Sequence, residues 1–182
     1  MTRSRGIITL SVVATLTLTG AAPPHNLPPC IHGPFVGITQ TLADGTVIGE
    51  PDAHDWGCVG HGPGAAAGAA NRDLAISGVP VGPPTAVCVY PAAPNPASAA
   101  TRITFAVPTS GHVALSVYGR NQGHGPRETS VVRSLIDGDL VAGLHEVNWD
   151  LRDDHGVPLP SGIYRVVLVV GDQVLCGDVE VQ

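Results

Sequence analysis

Lysine is absent from this 182-residue chain, and its nine basic residues are all arginine. Schiff-base chemistry and Ser–Lys pairs are therefore excluded. There is also no basic stripe of the kind that holds nucleic acid or an anionic membrane surface. Fifteen acidic residues leave a formal net charge of −6. Aromatic residues are scarce, at 4%, which leaves few side chains from which a sugar-stacking platform could be built. No Gly-x-Ser-x-Gly elbow occurs, and the glycine-rich stretch GHGPGAAAGAA lacks the strand–helix setting of a phosphate loop. No amphipathic helical pattern stands out. Beyond the N-terminus, no apolar run approaches the ~20 residues of a membrane span.

The N-terminus is different. Arg3 and Arg5 precede an apolar run from Ile7 to Leu18, and Gly20 and Ala22 are small residues at cleavage positions. Residues 1–22 read as a secretory signal peptide. Export to the periplasm, cell surface or medium is expected, leaving a mature chain of about 160 residues with no transmembrane span. All four cysteines, Cys30, Cys58, Cys88 and Cys176, lie in the exported part. An even count in an oxidising compartment favours two disulfides. Of the three possible pairings, Cys30–Cys58 and Cys88–Cys176 are expected: the first closes a local loop, the second ties a linker to the last strand. His54, Cys58 and His61 also have a spacing that can bind zinc, with His25, Cys30 and His32 upstream. The disulfide reading is preferred in an exported protein, and no cofactor is expected.

Residues 23–87 read as a small extension. Asp44-Gly45 between apolar flanks signals a type I′ hairpin. Trp56 is either an exposed aromatic for a sugar or, the preferred reading, a buried anchor for that hairpin. A Gly/Ala/Pro-rich linker leads to a boundary between Gly82 and Pro94. Six short strands then follow. TRITFAV puts Ile103, Phe105 and Val107 on one face, and HVALSVY does the same with Val113, Leu115 and Val117. SVVRSLI is the third. LHEVNWD aligns Val147 with Trp149. IYRVVLVV is apolar on both parities, as in a central strand covered on two sides. In QVLCGDVEV, Leu175, Val179 and Val181 share a parity, and Cys176 falls on the other face. The fold class expected is all-β, an antiparallel sandwich.

Residues 90–182 resemble the FlgD-type immunoglobulin-like domain and the related C-terminal sorting domains of type IX secretion. The matching residues are Tyr90-Pro91, Pro94-Asn95-Pro96, Ile103-x-Phe105 with Pro108, and Val113 to Tyr118. They continue with Asp137-Gly138, Ala142-Gly143, Val147-x-Trp149-Asp150, Arg152-Asp153-Asp154, Gly156, Pro158, Pro160-Ser161-Gly162 and Tyr164. Leu151 stands where a glycine usually follows the Trp-Asp pair, and the terminal GDVEVQ lacks the lysine-bearing motif of type IX signals. The resemblance implies an immunoglobulin-like sandwich (fibronectin III-like). It also implies a role in cell-envelope association, surface presentation or assembly, with other envelope or secretion proteins as partners. The domain is expected to stay in the mature protein.

The stretch WDLRDDHGVPLPSGIY gathers Asp150, Asp153, Asp154, Arg152 and His155 within a few residues. It reads as a turn, with short acids accepting backbone N–H groups and Gly156 supplying a permissive φ. A calcium loop would space its acids at alternate positions and end in glutamate, and this stretch does not. Trp149 and Tyr164 read as core anchors. No catalytic residue is assigned, and a non-enzymatic protein is expected. The rival readings are a metal-binding or enzymatic minidomain in residues 23–87 and a glycan-binding module.

Overall fold

A computed structural model describes residues 37–52, 55–59, 82–120 and 129–182. Among these residues there is no helix. The strands are β1 (Gln40–Thr41), β2 (Val47–Ile48), β3 (Gly57–Cys58), β4 (Cys88–Val89), β5 (Thr101–Val107), β6 (Gly111–Arg120), β7 (Thr129–Leu140), β8 (Gly143–Trp149), β9 (Gly162–Val170) and β10 (Gln173–Val181). They form two four-stranded sheets, ordered β10–β9–β6–β7 and β3–β4–β5–β8, and a β1–β2 hairpin. Every strand ladder described is antiparallel. No helix among the described residues is long and apolar enough to cross a membrane.

The alternation read from the sequence sets the core. Ile103, Phe105 and Val107 of β5 and Trp149 of β8 join Val113, Leu115 and Val117 of β6 in one cluster. Tyr164, Val166 and Leu168 of β9 and Leu175, Val179 and Val181 of β10 complete it, so both four-stranded sheets feed the same core. Burying each such side chain stabilises by about 1.5–3 kcal/mol. β9 lies inside its sheet and is buried on both parities from Tyr164 to Leu168. β7 is longer than expected, and two register shifts against β6 bend it between Leu115/Ser116 and Val117/Tyr118.

Three local readings are corrected. The Asp44-Gly45 hairpin is not type I′, which needs positive φ at both central residues. Gly45 has φ 90° but Asp44 is not among the positive-φ residues; the Gly45 N–H donates to Leu42 O at 3.0 Å and the Leu42 N–H to Thr46 O at 2.9 Å. The loop is therefore a turn closed by a left-handed glycine. The expected disulfides, Cys30–Cys58 and Cys88–Cys176, give way to Cys58–Cys88. Antiparallel pairing of β3 with β4 sets those two residues directly opposite each other. Cys176 is also disulfide-bonded, and Cys30 lies outside the described residues. Third, Trp56 is buried as expected, but its seat is the main core cluster, which includes no described residue of the hairpin.

An edge strand presents unpaired backbone groups to solvent, and folds must cover them. The open edge of β10 is covered by residues from two stretches of chain. Trp56 N–H donates to Cys176 O at 2.8 Å. Asn95 Nδ2 donates to Asp178 O, and Asn95 Oδ1 accepts the Glu180 N–H, both at 2.9 Å. Ala97 N–H donates to Glu180 O at 2.8 Å, and Ala97 O accepts the Gln182 N–H at 2.9 Å. The β10 residues involved are all even-numbered, because alternate residues of a paired strand turn their backbone groups outward. Asn95, fully buried, also donates to Thr39 O and exchanges two backbone bonds with Thr41. Residues 37–52, through Asn95, and residues 55–58, through Trp56, thus form a strap fastened to the β10 edge.

Candidate functional site

The acidic stretch connects β8 to β9. Trp149 is fully buried, its Nε1–H donates to Arg152 O at 3.1 Å, and its ring meets Tyr164 edge-on at 5.9 Å. The Tyr164 hydroxyl donates to Pro160 O at 2.8 Å. Asp150 Oδ1 accepts the Arg152 N–H at 3.3 Å. Asp153 Oδ1 accepts two backbone N–H groups, from His155 at 2.9 Å and Val157 at 2.8 Å. Arg152 Nη1 donates to Gly156 O at 2.7 Å, and Gly156 itself has φ 78°. These bonds close a turn of the kind that short acids and a glycine favour.

The turn also reaches sideways to the edge of β7. Asp154 N–H donates to Val132 O, and Asp154 Oδ1 accepts the Ser134 N–H, both at 3.0 Å. Arg133 Nη1 donates to Asp153 O at 2.9 Å. The carboxylates therefore serve as backbone acceptors, and they clasp a sheet edge that would otherwise stand open. Among the described residues, no group of three His, Cys, Asp or Glu side chains is arranged to hold a metal ion.

Of the zinc-spaced residues, Cys58 is spent in its disulfide, and its sulfur is not free to be a thiolate ligand. His54 and His61 lie outside the described residues, as do His25, Cys30 and His32. Trp56 is only 4% exposed and has no face open to a sugar. Ser110 Oγ accepts the Ala142 N–H at 2.9 Å and so pins the β7–β8 turn, while His112 Nε2 lies 3.2 Å from Asp137 Oδ1 on the surface. Both line an open groove of about 570 Å³ between the β5–β6 and β9–β10 turns.

The sequence reading missed the polar cluster on β9 and β10. Arg165 and Asp178 are 6% and 1% exposed, and the guanidinium meets the carboxylate through Nε at 2.6 Å and Nη2 at 2.7 Å. Burial is the largest influence and opposes the Arg165 charge, but the bond to Asp178 and the Asp178, Asp55 and Asp52 charges together outweigh it, and the pKa moves up. Beside this pair lies Asp55 of the strap. Burial first, then the Asp178 and Asp52 charges, push the Asp55 carboxyl up to about 8. Its Oδ2 is buried and lacks a hydrogen-bond partner among the described residues. A signal for the Arg165–Asp178 pair did exist. Gly171-Asp172 forms a two-residue hairpin loop pairing Val170 with Gln173, and that register carries Arg165 opposite Asp178. With the geometry of the chain in view, its likeness to known proteins gives no further guide: no family model, curated protein or solved structure matches it.

Proposed function

We propose that the two four-stranded sheets form an immunoglobulin-like sandwich of the FlgD type. On this reading the protein is exported and non-enzymatic, and acts through protein contacts in the cell envelope: association, surface presentation or assembly. The observation that supports it is the fate of the acidic turn. The acidic stretch, whose composition resembles a catalytic or metal site, is occupied in closing its own backbone and clasping β7. What β7, β8 and the turns beside them offer a partner instead is exposed apolar side chains. Val131 and Leu144 are 46% exposed, Val157 56% and Val141 71%. Exposed apolar side chains of this kind are what contact with another protein would cover.

The test is expression of the full chain with a photo-crosslinking residue at position 144, followed by envelope fractionation and intact-mass analysis. The expected result is a species running from about residue 23 to Gln182 that yields a discrete crosslinked partner in the envelope fraction. Retention of the unprocessed chain in the cytoplasm, or a dominant species ending near residue 88, overturns the reading.

A further inference from the structure

Two buried side-chain atoms without a hydrogen-bond partner among the described residues, Asp55 Oδ2 and Trp56 Nε1, lie where the strap crosses the edge of β10. The Asp55 carboxyl faces the backbone N–H of Asp178, and its Oδ2 is buried without a partner among the described residues. The next residue, Trp56, donates its N–H to Cys176 O at 2.8 Å. Its ring lies over Gly177, where an added Cβ would come within 2.2 Å of the indole. Asp55 and Trp56 thus sit side by side on the same strand edge, one polar and one apolar. Two residues on, the Cys58–Cys88 disulfide fixes the end of the strap to β4, so any opening here is a local peeling.

Among the described residues, the charges around Asp55 are unbalanced. Asp52 faces it from the strap, Asp178 from β10 and Arg165 from β9. Two carboxylates therefore stand against one guanidinium, and that guanidinium is already bound to Asp178 through two nitrogens. An ionised Asp55 would add a third negative charge to a half-buried site.

We propose that Asp55 is a proton-operated latch, fastening the strap to the β10 edge while its carboxyl is neutral and loosening it on ionisation. The direction follows from linkage. A released Asp55 titrates near 3.8 and the docked one near 8. Between those values the docked state holds a proton that the released state lacks, so docking weakens as pH rises and levels off above about 8. The grip is fullest below pH 3.8. The limit is about tenfold in the docking equilibrium per pH unit. The strap thus holds tightly in acid and yields across the neutral range, exposing the edge of β10 around Cys176 and Gly177, while Asn95 and Ala97 go on covering the rest.

Hydrogen exchange of the full disulfide-bonded chain tests this, with rates corrected for the intrinsic effect of pH. The Trp56 N–H reports the latch and the Phe105 N–H, inside β5, reports global opening. From pH 5.5 to 8, Trp56 protection should fall at least ~tenfold and then flatten, while Phe105 protection holds. In Asp55→Asn, which cannot ionise, Trp56 protection should be flat, and in Asp52→Asn the levelling should come at lower pH. A flat wild-type profile, an equal slope in Asp55→Asn, or Trp56 tracking Phe105 overturns the proposal. Carboxyl ¹³C titration of wild-type Asp55 needs no variant, and a midpoint near the ordinary aspartate value of ~4 overturns it too.

Discussion

Leu151 has φ 58°, a left-handed conformation that costs an L-residue with a Cβ about 1–2 kcal/mol. The same residue is only 5% exposed and belongs to the main core cluster. Two terms therefore oppose each other at one position: backbone strain favours glycine, and packing favours leucine. Packing is the larger, since truncating a buried leucine costs about 2–5 kcal/mol. This sets an unusual order for substitutions. Leu151→Ala loses the packing and keeps the strain, whereas Leu151→Gly loses the packing and relieves it. Urea unfolding should show both variants less stable than wild type, with glycine about 1 kcal/mol less damaging than alanine despite its smaller size. The opposite order would show that the left-handed backbone is not a real cost here.

At the scale of elements, the fold manages its strand edges by using loops as partners. The acidic turn covers part of β7, and Asn95, Ala97 and Trp56 cover β10. Trp56 acts as a plug because Gly177 leaves room for it. The register of β10 on β9 runs through Gly177 without a shift, so the glycine serves the indole and not a bulge. Gly177→Ala should push the ring out and cost roughly 1–3 kcal/mol, as overpacking does. In a Trp56→Ala background the same change should cost little, because the obstructing ring is gone. A thermal-denaturation double-mutant cycle measures the difference. Equal costs in both backgrounds would remove Trp56 from the edge.

At the scale of the molecule, the strap is tied down covalently. The Cys58–Cys88 bridge spans 30 residues. Closing a loop of that length stabilises by roughly 3–4 kcal/mol on the chain-entropy model. Cys58→Ser with Cys88→Ser should lower stability by about that amount. With those two cysteines paired and Cys176 disulfide-bonded, the count of four leaves Cys30 for Cys176. Non-reducing peptide mapping should therefore find Cys58 joined to Cys88 and Cys176 joined to Cys30. A Cys88–Cys176 peptide would contradict the antiparallel pairing of β3 with β4.

Six long strands, the core-facing parity of β5, β6, β8 and β10, and the turn character of the acidic stretch were legible in the order of residues alone. Each of these is local: alternation, turn residues and side-chain reach act over a few positions and can be read without knowing the partner. The order of residues even placed Cys176 on the face opposite Leu175 and Val179, where the core cluster excludes it. The tertiary structure alone decided the disulfide partners, the seat of Trp56 beside Gly177, and the charge environment of Asp55. Those depend on which strands become neighbours across long stretches of chain, and pairing over such separations is settled by the packing of the whole core. β3 joins β4 across 30 residues, and Asp55 meets a carboxylate 123 positions away, at Asp178. No local pattern records either meeting, because neither residue has a neighbour in sequence that requires it.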